Sequence, residues 1–150
     1  MPVEVRTRGL SRRSVAPAEV KRRAERMLAA LGQGGSEVTV LLCDDDAIRA
    51  LNRDFRGVDL PTDVLAFPMR EGEGAELHPD LLGDVAISLE TARTQAEREG
   101  HAVVREVTFL LAHGLLHLAG DDHRTAAEER AMTARTEELC RVAVAPRPWS

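Results

Sequence analysis

The chain is short of cysteine, of long apolar runs and of positive charge, and each shortage removes a class of protein. Its two cysteines, Cys43 and Cys140, lie far apart in apolar contexts. Two reduced core thiols in a cytosolic protein are expected from them, not a disulfide framework. No apolar run approaches the ~20 residues of a membrane span, and Met1-Pro2-Val3-Glu4-Val5-Arg6 lacks the apolar segment of a secretory signal. A cytoplasmic protein with no membrane partner is the expectation. The net charge is −5, so a nucleic-acid partner would have to meet a local basic patch, because the global charge repels phosphate. Composition alone points to no such partner. There is no internal repeat, and no linker has globular sequence on both sides. The 150 residues, 43% hydrophobic and 30% charged, read as one soluble domain with a real core, residues 145–150 forming a tail.

Hydrophobic periodicity places the elements. Val3 to Arg6 alternates as a short strand. Pro17 opens a helix with Val20, Ala24, Met27, Leu28 and Leu31 on one face and Gly32 at its stop; Lys21, Arg22, Arg23 and Arg26 read as its solvated face. Val38 to Cys43 is a buried strand. Asp44-Asp45-Asp46 suits an N-cap and first turn better than a metal site, because Ile48, Leu51 and Phe55 continue at helical spacing until Arg56-Gly57. After a loop over residues 58–63, Val64 to Phe67 is a strand closed by Pro68. Residues 71–79 read as a surface excursion in which His78 is a bystander. Gly83 and Asp84 lead into a fourth strand, Val85 to Ser88. Ser88 caps a helix with Leu89, Ala92 and Ala96 inward and Gly100 at its end. From Ala102 a helix apolar on most sides, with Val103, Val107, Phe109, Leu110, Leu111, Leu115 and Leu118, runs to about Leu118 and belongs in the middle of the domain. Thr125 and Glu128 form a capping-box pattern for a last helix through about Val142. The count is four strands and about five helices.

The chemistry concentrates in His113-Gly-Leu-Leu-His117-Leu-Ala-Gly-Asp-Asp-His123, which holds three of the five histidines. His113 and His117, four apart, share one helix face about one turn, roughly 5–6 Å, apart. Gly120 can take φ > 0 and turn the chain back so that His123 reaches the same ion. This spacing predicts one zinc held by three neutral nitrogens. The open fourth position is the pattern of a catalytic site, where a bound water's pKa falls toward ~7. Two core histidines on an apolar helix, or a structural zinc closed by Asp121 or Asp122, are the alternatives. Zinc proteases of the metzincin type share the spacing, but they carry a general-base Glu directly after the first histidine. Here that residue is Gly114, so hydrolysis of a bond other than a peptide is expected. Gly114 also suits close packing of the helix on a neighbour.

The eleven-residue stretch resembles the signature of the YbeY endoribonuclease family. So do Leu51-Asn52-Arg53-Asp54-Phe55-Arg56, the block Pro61-Thr62-Asp63-Val64-Leu65-Ala66-Phe67-Pro68 with Ala66 where the family has serine, and Leu82-Gly83-Asp84-Val85-Ala86-Ile87. Gln95-Ala96, Gly100-His101 and Arg105-Glu106 follow in the family's order. Leu60 departs from it, standing after Asp59 where a lysine is common. The resemblance spans about residues 38–140. It implies an α+β fold, a mixed four-stranded sheet flanked by helices, with zinc at His113, His117 and His123 near the end of the central helix. It implies a single-strand-specific endoribonuclease acting in 16S rRNA 3′-end maturation and ribosome quality control. Ribosomal RNA and the small ribosomal subunit would be its partners, with no DNA expected. The family's functional arginine maps onto Arg56, which suits stabilising a phosphorane or binding a flanking phosphate; a helix-terminal arginine facing solvent is the plainer role. Asp63 and Glu106 are further candidates, as partners of a ligand histidine or as structural acceptors. Arg49, Arg53 and Arg56 form a candidate basic lip. A ribosome-assembly factor that binds RNA around a structural zinc, without efficient cleavage, is the rival function.

Overall fold

Runs whose alternate residues are apolar pair into one mixed sheet in the computed structural model, which describes residues 3–10, 14–69, 80–120 and 125–144. The strands β1 (Val3–Arg8), β2 (Glu37–Cys43), β3 (Val64–Pro68) and β4 (Leu81–Ser88) lie in the order β1-β2-β4-β3. β1 and β4 flank β2 in parallel, and β3 runs antiparallel to β4 at the far edge. The helices are α1 (Pro17–Ala30), α2 (Asp45–Arg56), α3 (Leu89–Glu99), α4 (Val103–Leu118) and α5 (Ala126–Val144). The described residues thus form an α+β fold of four strands and five helices.

The two-residue period of the strands divides the helices between the two faces. Val38, Val40, Leu42, Val64, Ala66, Val85 and Ile87 point to one side, where they meet α1, α3, α4 and α5 in the main core. Leu41, Cys43, Leu65, Phe67 and Ala86 point to the other, where α2 lies with Ile48 and Leu51 against them. α4 runs over β3 and β4 between α3 and α5. No helix among the described residues is long and apolar enough to cross a membrane.

The local signals in the sequence act as expected at most element ends. Asp44 accepts the Ala47 N–H at 2.8 Å, and Ser88 Oγ accepts that of Thr91 at 3.2 Å. Thr125 Oγ1 accepts the Glu128 N–H at 3.1 Å at the start of α5. Three expectations change. Gly83 and Asp84 lie inside β4 rather than before it. Gly83 has φ +148°, and a Cβ there would come within 2.3 Å of the Phe67 carbonyl oxygen and 2.8 Å of Leu118; only glycine lets β3, β4 and α4 close together at this point. The basic face of α1 is not simply solvated. Arg23 donates to Thr108 Oγ1 of α4 at 2.7 Å and to Glu19 at 2.8 Å, and Arg26 donates to the Ala143 carbonyl of α5 at 3.0 Å. Helical period reveals that a face is polar, not that two other helices pass beside it. Phe109 is exposed, because the buried stripe of α4 runs through Val107, Leu111, Leu115 and Leu118 and leaves it on the far side.

Candidate metal centre

The C-terminal half of α4 supplies the centre of the site. Leu110, Leu111, Ala112, Leu115 and Leu116 are buried around it, so the helix is held on nearly all sides, and His113 and His117 are half-buried one turn apart. Their Nε2 atoms are 3.2 Å apart, with the rings at 71° to each other. Two nitrogens each about 2.0–2.1 Å from one tetrahedral zinc stand roughly 3.3 Å apart. The separation of the pair therefore fits a single ion. Two neutral imidazoles can also share one N–H across that gap. Gly120 follows with φ +103°, the positive φ expected of it. His123 and the alternative ligands Asp121 and Asp122 lie outside the described residues, as do His78 and the tail. Among the described residues no group of three or more His, Cys, Asp or Glu side chains is placed to hold a metal.

Gly114 sits between the two histidines, on the side of α4 that faces the sheet. A Cβ there would meet Val85 Cγ1 at 2.7 Å and Cγ2 at 3.1 Å, and Val64 Cγ2 at 3.5 Å. The glycine is the point of closest helix–sheet approach, so a carboxylate in its place would be driven into β4 rather than toward the histidines.

The other candidates are distributed more widely. Arg56 ends α2 on the opposite face of the sheet from α4, exposed and without a carboxylate partner among the described residues. The basic lip contracts to this one side chain. Arg49 is tied to Asp59 at 2.8 and 3.3 Å, and Arg53 to Asp54 at 3.0 Å. The Arg49 bond holds the Asp59 carboxyl below its ordinary range. Glu106 lies at the start of α4, seven residues before His113, where it pairs with His101 Nε2 at 2.8 Å. It does not orient a predicted ligand. Asp63 takes the N–H of Val64 at 2.7 Å and the side-chain amide of Gln95 at 3.3 Å, while its carbonyl takes the Ser88 N–H at 2.9 Å. It fastens the start of β3 to α3 and the end of β4.

Two features went unseen in the sequence. Asn52 is buried and donates from Nδ2 to the Leu60 carbonyl at 2.9 Å, clamping the loop beside Arg56. Its Oδ1 has no donor among the described residues. Asp45 Oδ1 accepts the hydroxyls of Ser88 at 2.5 Å and Thr91 at 2.6 Å, so it ties the N-terminus of α2 to that of α3. Both involve residues of the family-like blocks or their neighbours, but the pairing partners are set by the fold.

Comparison with known proteins agrees with this architecture. The profile of the family described as Endoribonuclease YbeY matches residues 9–143. An Endoribonuclease YbeY of Geobacillus kaustophilus is 48% identical over 111 residues, 70% of this chain and 71% of the relative. One of Geobacter sulfurreducens is 43% identical over 130 residues, 85% and 87% of the two chains. The solution structure of TM1509 from Thermotoga maritima superposes with a TM-score of 0.65 at 25% identity, covering 94% of this chain and 88% of that one.

Proposed function

The chain belongs to the YbeY endoribonuclease family, and from that premise we propose that it is a zinc-dependent endoribonuclease specific for single-stranded RNA. Its task in this reading is maturation of the 16S rRNA 3′ end and ribosome quality control in the cytoplasm, with ribosomal RNA and the small ribosomal subunit as partners. The observation that carries the reading is the 3.2 Å Nε2–Nε2 pair on α4. His113 and His117 would hold the ion from a helix buried on most sides, and His123 would complete the set. When bound, zinc supplies Lewis-acid polarisation of the scissile phosphate. Gly114 denies the site a protease's carboxylate. Arg56, across the β3 edge, binds a phosphate flanking the cleaved bond through its guanidinium fork.

The test is the metal content of the purified protein beside cleavage of an unstructured RNA oligonucleotide. One zinc per chain is expected, lost in His117→Ala and in His123→Ala. Cleavage should stop on chelation and return with added zinc. Cleavage that survives both exhaustive chelation and His117→Ala would overturn the reading. If His113→Ala unfolds the protein while Arg56→Ala leaves rRNA processing intact in cells, the structural-zinc assembly factor takes its place.

A further inference from the structure

The chain is poor in aromatic residues, with three phenylalanines, one tryptophan and no tyrosine. Among the described residues its buried core is built without any of them. Phe55 is the most exposed of the three phenylalanines. It continues the apolar series of α2, yet it stands 69% exposed. It is not loose, because its ring meets Phe67 of β3 edge-on, with centroids 5.4 Å apart and planes at 64°. One side of the ring is thus fixed against the strand and the rest faces solvent. Arg56 is its neighbour in the chain, and Val58 and Leu60 are exposed just beyond. Scattered apolar side chains on a surface need no explanation; an oriented aromatic ring followed in the chain by a guanidinium with no carboxylate partner among the described residues has a definite complement. That complement is a flat π-faced group joined to an anion, which describes a nucleotide whose base is not already stacked and paired.

We propose that Phe55 is a stacking platform for an unpaired base of single-stranded RNA, with Arg56 holding the adjoining phosphate. The proposal rests on the ribonuclease reading above and adds to it the contact that selects single strands. β3 joins this platform to the histidines. Phe67, on one face of the strand, backs the Phe55 ring. Val64, on the other, lies 3.5 Å from where a Cβ on Gly114 would be, between His113 and His117. Among the described residues no strand pairs with the outer edge of β3. An RNA strand seated on Phe55 can therefore cross that edge toward α4. Since Asp59 and Asp54 already occupy Arg49 and Arg53, the described residues of α2 offer stacking and one cation, not a broad basic surface.

The experiment measures binding of a fluorescein-labelled oligoadenylate to the zinc-loaded full-length protein, by rapid-mixing anisotropy before cleavage accumulates. A second oligonucleotide carries 2-aminopurine, whose fluorescence falls on stacking. Phe55→Ala should weaken binding about tenfold or more, abolish the quench and leave the salt dependence unchanged, while Phe55→Trp keeps both affinity and quench. Arg56→Ala should weaken binding and lower the slope of log Kd against log salt by about 0.7, the value of one phosphate on a single strand. Phe55→Ala that binds and quenches like the wild type overturns the proposal and leaves the ribonuclease reading standing. An equal loss in Phe55→Trp and Phe55→Ala also overturns it, because indole keeps the π face. Wild-type protein that neither binds nor cuts the oligonucleotides removes the ribonuclease reading, and this proposal with it.

Discussion

α4 and α2 press on β3 and β4 from opposite sides, and they are built for opposite purposes. Nine of the sixteen residues of α4 are buried, against two of the twelve of α2. The first helix has almost no surface to spare, and the two histidines are among the side chains that reach its open side. The second is covered along one stripe by Ile48 and Leu51, and the remainder is open. A ligand set that must stay within a fraction of an ångström belongs on the rigid helix. Contacts to a flexible polymer can sit on the exposed one. The sheet between them is a single layer, and β3 is its edge strand among the described residues.

Three substitutions test this contrast, beginning with the largest effect. Gly114→Glu restores the protease-like sequence but places a Cβ 2.7 Å from Val85. Overpacking alone costs about 1–3 kcal/mol, and a buried unpaired carboxylate adds to it. Thermal melting should fall by well over 10 °C with no peptidase activity gained; a stable variant would mean that α4 is not clamped against β4. Arg56→Ala should leave the melting temperature within a degree or two, since the side chain is exposed and has no carboxylate partner among the described residues, while RNA cleavage at subsaturating RNA drops about 10- to 100-fold, the scale for losing hydrogen bonds from a charged group to a phosphate. A melting temperature that falls together with activity would make Arg56 structural and erase the distinction between the helices.

The third test concerns the α2 face and is read against pH. Burial pushes the Cys43 thiol up to about 12, with the carboxylate of Asp44 acting in the same direction; the thiol donates to the Ile87 carbonyl at 3.6 Å. The unfolded chain loses this proton first. The folded state is therefore fully favoured below the unfolded thiol's pKa, about 8.5, and loses up to about 1.4 kcal/mol per pH unit from there toward pH 12. Denaturant melts of wild type and Cys43→Ala between pH 8 and 11 should show a shallower alkaline decline in the variant. Parallel declines would mean that water reaches the α2 side of the sheet more freely than the aliphatic packing around Cys43 allows.

Much of the molecule was legible from local chemistry. The caps at Asp44, Ser88 and Thr125 each depend on a side chain reaching a backbone N–H three residues on, which is a property of a short segment. The histidine spacing is likewise internal to one helix, and so is the approach of the two Nε2 atoms. What escaped was pairing across long sequence separations. The series Ile48, Leu51, Phe55 has a helical period but does not reveal that Ile48 and Leu51 pack into the cluster on the sheet while Phe55 stays 69% exposed. Three arginines on α2 suggest a basic lip, whereas the loop that follows folds back and brings Asp59 onto Arg49. Four basic residues on α1 suggest a wet face until α4 and α5 arrive beside Arg23 and Arg26.

The sequence by itself determined the helix of the histidines, the family to which the chain is similar and the ends of most elements, because each follows from spacing and capping within a few residues. Only the tertiary structure decided which neighbours crowd Gly114, which arginine of α2 has no carboxylate partner among the described residues and how far Phe55 stays exposed. Those outcomes are settled by segments that meet through the sheet: Val64 and Val85 against α4, Asp59 against Arg49, Phe67 against Phe55. Their contact energies exist only once loops of tens of residues have been closed, and local propensity carries no record of them.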